Sequence, residues 1–305
     1  MGTINFSDLK KNAEAAFTTA AEAANKNKAF AKDEREWQPS VDKVGNGFAI
    51  TRPLPAPPGE DVPFVKYHKH AFKGPNGKWF IEYCPTDLGL PCPTCEYNGV
   101  LWATEDKAKR AIVSKQKRNL IYAGNHLILA DKPSPENEGQ VKIFNYGEKI
   151  HGKFKSVMAP EVEGMRKFNP FDFYNGANFQ LVVRMIEVTE NGQKRTYRNY
   201  DNSSFDACAP LFDGDDAKLE ALWNKEHKLQ PLIDPKLWKG YDELKKRLHF
   251  VLEIATVIQV QVPANVMTPQ DEDSSNPNFS QREDVVNHDD NDDDKNLFQA
   301  LANED

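Results

Sequence analysis

Residues 68–95 read HKHAFKGPNGKWFIEYCPTDLGLPCPTC and concentrate the side chains that could bind a metal. Cys92 and Cys95 form a C-x2-C pair, Cys84 lies eight residues before that pair, and His68 and His70 precede all three. Zinc in proteins takes four thiolate or imidazole ligands in a tetrahedron, and C-x2-C is a common spacing at such sites. The stretch therefore predicts one structural zinc ion bound by the three cysteines and one of the two histidines.

The competing interpretation is a set of unrelated thiols in a protein core, because a free cysteine behaves as a small apolar side chain. These cysteines lie among proline, glycine, threonine and aspartate, which favours loops over core. His68 and His70 are two positions apart, so on a strand both would face the same side. Either histidine could then reach the metal.

The segments around this stretch predict strands and turns. GNG at residues 45–47 separates two β-prone pieces, and VPFVKYHKH is rich in β-branched and aromatic residues. KWFIEY at residues 78–83 runs directly into Cys84. The candidate ligands therefore lie in loops between strands, as a structural metal site requires.

Length and composition indicate a globular protein outside the membrane. The 305 residues suffice for one large or two small domains, and no run approaches the ~20 apolar residues of a membrane span. MGTINFSDLKK does not contain the apolar segment of a signal peptide. We therefore expect a reducing cytosol, where clustered cysteines bind metal more readily than they pair as disulfides.

The formal net charge of −7 is distributed unevenly. Residues 271–305 hold 12 acidic and 2 basic residues, whereas residues 1–270 hold 37 basic and 34 acidic residues. A mildly basic body is thus joined to a strongly acidic tail. This asymmetry indicates a nucleic-acid partner for the body and a regulatory or recruiting role for the tail.

Three segments mix cations with aromatic rings, which together could form a groove for single-stranded nucleic acid. Cations would neutralise phosphates and rings would stack on bases. The alternative is an ordinary solvated charged face. The candidates are Tyr97, Trp102, Lys107, Lys109, Arg110, Lys115, Lys117, Arg118 and Tyr122 in the first segment, Phe144, Tyr146, Lys149, Lys153 and Lys155 in the second, and Lys194, Arg195, Tyr197, Arg198 and Tyr200 in the third.

The flanking segments differ in composition from this middle part. Ala-rich residues 7–31 predict a helix, either a frayed surface helix or an arm that docks on a neighbouring copy. DPKLWKGYDELKKRL predicts a helix with Asp234 as its cap and Pro235 in its first turn. Cys208 is expected in the core, far from the metal cluster.

Beyond about residue 262 the sequence is rich in Asn, Asp, Ser and Pro, which predicts disorder to the end. The exception is NLFQALANED, where Leu297, Phe298 and Leu301 could form one helical face for the groove of a partner.

Five motifs together resemble a known family. HAFKGPNGKWFIEYC, CPTC, PSPENEGQVKIFNYGEKI, YNGANFQLVV and RNYDNSSF, in this order, are similar to the single-stranded DNA-binding (helix-destabilising) proteins of T-even-type bacteriophages, the gene 32 family. The resemblance covers about residues 36–248. It implies a mixed, β-rich fold with α-helices: an OB-fold core, a small zinc-binding subdomain, flanking helices and a disordered acidic tail. It also implies cooperative, largely sequence-independent binding of single-stranded DNA.

The resemblance also implies individual site residues. In the family one histidine and three cysteines hold the zinc, and the histidine precedes a short NGKW segment. His70 has that position and His68 has no counterpart, so the implied ligands are His70, Cys84, Cys92 and Cys95. The groove positions that it supports most directly are Trp79, Lys117, Arg118, Tyr122, Phe144, Phe179 and Tyr200.

Its N-terminal arm departs from the family pattern. The family carries a compact Lys/Arg-Ser/Thr motif there for self-association, whereas this chain has only Lys10 and Lys11 in an Ala-rich setting. We nevertheless expect an arm at residues 1–35 that contacts other copies along DNA, a DNA-binding core at 36–262 with its zinc subdomain at about 64–100, and an acidic tail at 263–305.

The biological expectations follow from the same resemblance. The tail would bind phage replication and recombination proteins, and its charge, opposite to that of the body, predicts that it also competes with DNA for the basic groove. The protein would act in phage DNA replication, recombination and repair in the cytoplasm of the infected bacterial host, with no membrane partner.

Two other classes of protein share part of the pattern. A zinc nucleobase deaminase would share the P-C-x-x-C half of its signature with PCPTC, but its H-x-E half reads His68-Lys69-His70 and lacks the catalytic glutamate. We therefore expect no enzyme. A zinc adaptor that binds only proteins remains the alternative, in which the basic segments would be incidental.

Overall fold

The computed structural model describes residues 33–190, 193–254 and 285–286. The predicted arm with Lys10 and Lys11 lies outside the described residues, as do Leu297, Phe298 and Leu301 and nearly all of the predicted disordered tail. The two described tail residues pair antiparallel with the strand that contains Tyr197.

Strands predominate over helices, and the expectation of a mixed, β-rich fold is confirmed. The strands are β1 (Glu36–Trp37), β2 (Gly47–Pro53), β3 (Phe64–Lys73), β4 (Trp79–Tyr83), β5 (Arg118–Ala130), β6 (Val141–Tyr146), β7 (Ala177–Glu190), β8 (Gln193–Asn199), β9 (Ser204–Cys208) and β10 (Val285–Val286). The helices are α1 (Pro93–Ala103), α2 (Lys107–Gln116), α3 (Glu148–Met158), α4 (Asp216–Trp223) and α5 (Tyr241–Leu252).

Strand β5 is the centre of the sheet because it pairs with three other strands. Its first half pairs antiparallel with β3 and its second half with β2, while β6 pairs with the middle of β5. The sheet continues from β2 through β7 to β8, with β4 added beside β3 and β9 beside β7. The hairpin of β3 and β4 therefore lies directly beside the start of β5.

The main core lies between the sheet and α3. Phe154 of α3 is fully buried, and its ring centroid lies 5.2 Å from that of Phe179 on β7. Trp37, Phe144 and Leu181 belong to the same cluster. Burying each such side chain contributes roughly 1.5–3 kcal/mol, so this aromatic layer supplies a large part of the stability of the sheet.

Helix α5 covers the β3–β4 hairpin. Leu244, Leu248 and Val251 recur at helical spacing and pack against Phe80 of β4. The contact is close enough that a Cβ on Gly74 would lie 2.0 Å from the carbonyl oxygen of Val251. Only glycine fits at that position, next to the turn of the hairpin.

A buried carboxylate reinforces the same contact. Glu82 of β4 is 6% exposed, and its Oε1 lies 2.9 Å from Nζ of Lys239 and 2.8 Å from Nε of Arg247. Two cations therefore neutralise one buried anion, which ties α5 and the segment before it to the hairpin.

Two local predictions are wrong. Asp234 does cap a turn, accepting from the backbone N–H of Lys236, but that 3-10 turn ends at Leu237, and the long helix begins only at Tyr241. Gly240 lies at the cap position of that helix and interrupts the predicted continuous helix. Cys208 is exposed on β9 rather than buried in the core.

None of the described helices combines the length and the apolar composition that crossing a bilayer needs.

Candidate metal centre and nucleic-acid interface

The fold brings together the four predicted metal ligands. His70 lies on β3, Cys84 directly follows β4, Cys92 is the N-cap residue of α1, and Cys95 lies in the first turn of that helix. All four side chains are buried, and their ligand atoms lie within 4.8 Å of one another. Pro93 favours the start of α1 at this point because its missing N–H costs nothing in a first turn.

The spacing of the ligand atoms fits a tetrahedral ion. Sγ of Cys84 and Sγ of Cys95 are 3.6 Å apart, and Nε2 of His70 lies 3.5 Å from the sulfur atoms of both Cys92 and Cys95. Zinc bonds of about 2.3 Å to sulfur and 2.0 Å to nitrogen place such atoms roughly 3.5–3.8 Å apart at tetrahedral angles. The sulfurs are too far apart for a disulfide bond, which is about 2.05 Å long. The cluster could therefore hold a metal ion.

The close contacts within the cluster shift the pKa values of His70, Cys84 and Cys95. Burial lowers the pKa of His70, but hydrogen bonds to Cys84 and Cys92 more than offset this and raise it to about 9. Hydrogen bonds from Cys92 and Cys95 hold the pKa of the Cys84 thiol well below its ordinary value, and those with Cys84 and Cys92 raise the pKa of Cys95. Metal binding would displace protons from these groups, because the ligand forms are thiolate and neutral imidazole.

His68 faces a different partner, as expected of a residue that is not a ligand. Its Nδ1 lies 2.6 Å from Oδ1 of Asp87, and its backbone N–H donates to Oδ2 of the same carboxylate. Asp87 belongs to the 3-10 turn that follows Cys84. His68 therefore stabilises the loop that carries a ligand without joining the cluster.

The helical hairpin formed by α1 and α2, after the cysteines, carries a partly exposed pair of a cation and an aromatic ring. The guanidinium of Arg110 on α2 lies 4.9 Å from the ring centroid of Trp102 on α1, and its Nε donates to the backbone oxygen of Trp102. Asp106 caps α2 by accepting from the backbone N–H of Ala108, which fixes the turn between the two helices. Lys109 is half-buried and Lys115 is exposed on the same helix. This hairpin offers the cations and the aromatic face that the sequence predicted.

Four of the predicted base-stacking residues belong to the main core, so their rings are not available to stack on bases. Phe144 and Phe179 are 2% and 0% exposed, and Tyr122 and Tyr146 are also buried. His151 of α3 stacks on Tyr122 with ring centroids 3.7 Å apart, so it occupies the face that a base would need. These rings pack against each other and support the sheet.

Tyr197 of β8 is buried as well, so its ring is not available to a base, whereas Lys107, Lys155 and Lys194 are exposed. Most of the other predicted positions lie at intermediate exposure. Trp79 begins β4, and Tyr97 of α1 packs against the apolar cluster that α5 forms with Phe80. Tyr200 packs at the edge of the main core. Lys117, Arg118, Lys149 and Arg198 are half-buried.

One cation that the sequence predictions missed is Lys69. Its Nζ lies 4.3 Å from the ring centroid of Tyr83 and 5.4 Å from that of Tyr67, and burial lowers its pKa. Lys69 and Tyr67 share one face of β3 because they are two positions apart. The two-residue spacing of Tyr67 and Lys69 in VKYHKH is the sequence pattern from which this contact could have been predicted.

The comparisons identify similar proteins. A family model described as "gp32 DNA binding protein like" matches residues 45–252. A single-stranded DNA-binding protein of Enterobacteria phage T2 is 32% identical over 255 residues, which cover 81% of this chain and 80% of that protein. The protein of the same name from Enterobacteria phage T4 is 30% identical over 257 residues, which cover 82% and 81%. One from Escherichia phage SV14 is 39% identical over 102 residues, which cover 32% of this chain and 89% of that protein.

Proposed function

Because this chain belongs to the gp32-like family of DNA-binding proteins, as its motifs predicted, we propose that it binds single-stranded DNA and performs no catalysis. The binding is cooperative and largely independent of sequence. It serves DNA replication, recombination and repair of a phage in the cytoplasm of its bacterial host.

The observation that carries this proposal is the partly exposed pair of Trp102 and Arg110 on a hairpin rich in lysine. An indole face stacks on any base, at roughly 1–3 kcal/mol per base, and a neighbouring guanidinium adds charge for the phosphates. Lys109, Lys115, Lys117 and Arg118 follow along the same segment. The groove also includes Trp79, Tyr97, Lys149, Arg198 and Tyr200.

The metal is zinc, and its role is structural. Four protein ligands leave no coordination position for a reactive water, and the ligand set of one imidazole and three thiolates is typical of structural zinc. A bound ion would hold the ends of β3 and β4 against the start of α1. It would thus support the hairpin that carries Trp102.

The architecture corresponds to an OB-fold core at residues 36–262, with its zinc subdomain at about 64–100. The long central strand β5, paired with three neighbours, supports such a core. Residues 1–35 form the arm for self-association through Lys10 and Lys11. Residues 263–305 form the acidic tail, which recruits replication and recombination proteins through Leu297, Phe298 and Leu301.

Two alternatives predict different behaviour. A zinc adaptor would bind proteins and would not shift a labelled single strand in a gel. A deaminase would convert cytosine or adenine in that strand, but His70 and three buried cysteines complete the ligand set, and Glu82, which lies opposite His70 in the ladder, is paired with Lys239 and Arg247.

A salt titration tests the proposal directly. The same mixed-sequence oligonucleotide is offered as a single strand and as a duplex, and the dissociation constant is measured from 50 to 400 mM salt, a range chosen to span roughly one decade of ionic strength. We expect preference for the single strand and a steep linear loss of affinity on a double logarithmic plot. Binding that is insensitive to salt, or that favours the duplex, would refute the proposal.

A further inference from the structure

Thr86 contacts both the metal cluster and a predicted DNA-binding residue. Its hydroxyl oxygen lies 3.0 Å from Sγ of Cys84 and also accepts a hydrogen bond from Nη1 of Arg118. Thr86 belongs to the 3-10 turn after Cys84, whereas Arg118 begins β5, 32 positions away along the chain. One small side chain thus joins two sites that the sequence keeps apart.

The chemistry of the groups sets the direction of both hydrogen bonds. A guanidinium has five N–H donors and no acceptor, so Arg118 donates to the hydroxyl. A hydroxyl has one hydrogen, which remains available for the sulfur of Cys84. A metal ion bound by Cys84 would hold its sulfur in place, and with it the hydroxyl of Thr86 that contacts the sulfur. Each hydrogen bond then polarises the other.

The backbone of Arg118 is fixed to the same cluster from the other side. Arg118 is the register partner of His70 in the β3–β5 ladder. Two residues earlier, the carbonyl oxygen of Gln116 accepts hydrogen bonds from Nδ1 of His70 at 2.9 Å and from Asn98 at 3.0 Å. With the backbone held there, the hydroxyl of Thr86 determines where the guanidinium points.

We infer that Thr86 is a positioning residue that couples occupancy of the metal cluster to the phosphate-binding geometry of Arg118. The inference rests on the proposed function, in which Arg118 binds DNA phosphate with the donors that Thr86 leaves available. Coupling between two binding sites is reciprocal. DNA bound at Arg118 therefore retains the metal by the same factor by which the metal favours DNA.

The test measures how fast zinc transfers from the full-length protein to a chromophoric chelator, with and without saturating single-stranded DNA. Thr86→Val removes the hydroxyl at nearly constant size, and Thr86→Ser keeps it. Thr104→Val is the matched control, because the hydroxyl of Thr104 bonds only the carbonyl of Leu101 among the contacts described for that exposed residue. Zinc content and DNA affinity are measured on the same samples.

For the wild type and for Thr104→Val we expect DNA to slow zinc transfer about fivefold or more, because a coupling of that size in affinity acts mainly through the rate of release. Thr86→Val should lose zinc faster without DNA and show little slowing with it, while Thr86→Ser should behave as the wild type. Equal rates for Thr86→Val and the wild type in both conditions would overturn the inference.

If Thr86→Val does not fold, the wild type still decides. DNA that binds the wild type without slowing zinc transfer overturns the coupling and leaves the proposed function intact. A wild type that binds no single-stranded DNA refutes the proposed function itself.

Discussion

The Nδ1 atom of His70 lies 2.9 Å from the carbonyl oxygen of Gln116, the last residue of α2. A carbonyl can only accept, so Nδ1 carries a hydrogen and donates it to Gln116, while Nε2 faces Cys92 and Cys95 and would present its lone pair to a metal once its own proton is displaced. The end of α2 thereby orients the imidazole as a metal ligand before any ion binds. Because β5 begins two residues later, this hydrogen bond attaches the metal cluster to the basic segment of the chain.

Replacing Cys92 with serine should release the metal and loosen this attachment. We expect loss of one zinc per chain, a decrease in the free energy of unfolding of about 2 kcal/mol or more, and weaker binding to single-stranded DNA. For a domain of this size that corresponds to a fall in melting temperature of roughly 4–8 °C. The measurements are metal content, thermal unfolding and DNA affinity.

Cys208→Ser is the matched control for this experiment, since Cys208 is an exposed free thiol on β9. It should keep the metal and the wild-type melting temperature. A Cys92→Ser protein that loses zinc but unfolds at the wild-type temperature would contradict a structural role for the ion.

Replacing Trp102 with alanine should weaken binding to single-stranded DNA with little effect on stability. Its ring is partly exposed beside Arg110, and one lost stacking contact costs roughly 1–3 kcal/mol, or about 5- to 150-fold in the dissociation constant. The loss should be similar for strands of different base composition, because every base has a stacking face. Fluorescence titration with homopolymer and mixed strands measures it.

Phe250→Ala provides the comparison, because Phe250 is 64% exposed on α5, where no DNA contact is proposed. Its affinity should equal that of the wild type. If Trp102→Ala binds single-stranded DNA as tightly as the wild type, the hairpin of α1 and α2 is not part of the DNA-binding surface.

Replacing Phe144 with leucine should lower stability and leave DNA affinity unchanged, the opposite of the effect of Trp102→Ala. Phe144 is 2% exposed and its ring centroid lies 5.2 Å from that of Trp37, so the smaller side chain leaves a cavity and costs about 1–2 kcal/mol of stability. The affinity of the folded protein for DNA should not change. Chemical denaturation measures the change in stability, and DNA titration measures the change in affinity. If the fully folded variant binds DNA more weakly than the wild type, Phe144 does contribute to the DNA-binding groove.

The contrast between these residues shows how much of the site could be predicted from the sequence. The metal ligands were predictable because C-x2-C and the NGKW turn are local patterns whose spacing reflects coordination geometry. The strands around Cys84 were predictable from their β-branched and aromatic residues.

Which face of a strand is buried was not predictable in the same way. Tyr122 and Tyr146 are stacked neighbours across the β5–β6 ladder, and only the packing of α3 shows that their side of the sheet is the core. An aromatic residue next to lysine fits a groove and a core equally well in sequence. Thr86 and Gln116 gave no signal, because their partners lie 32 and 46 positions away.

Glu226 makes stability depend on pH in a direction that is unusual for a carboxylate. It is 8% exposed, and burial raises its pKa to about 8, partly offset by the amide of Asn125. Between about pH 4.5 and 8 the native carboxyl keeps its proton while the unfolded one loses it, so unfolding releases a proton and stability falls as pH rises. Glu226→Gln removes this dependence and should stabilise the protein by on the order of 1–3 kcal/mol at pH 8, with little effect near pH 4.5. Denaturation at both pH values measures the difference, with the exposed Glu220→Gln on α4 as control. Parallel stability curves for wild type and Glu226→Gln would show that Glu226 is ionised in the native protein at neutral pH.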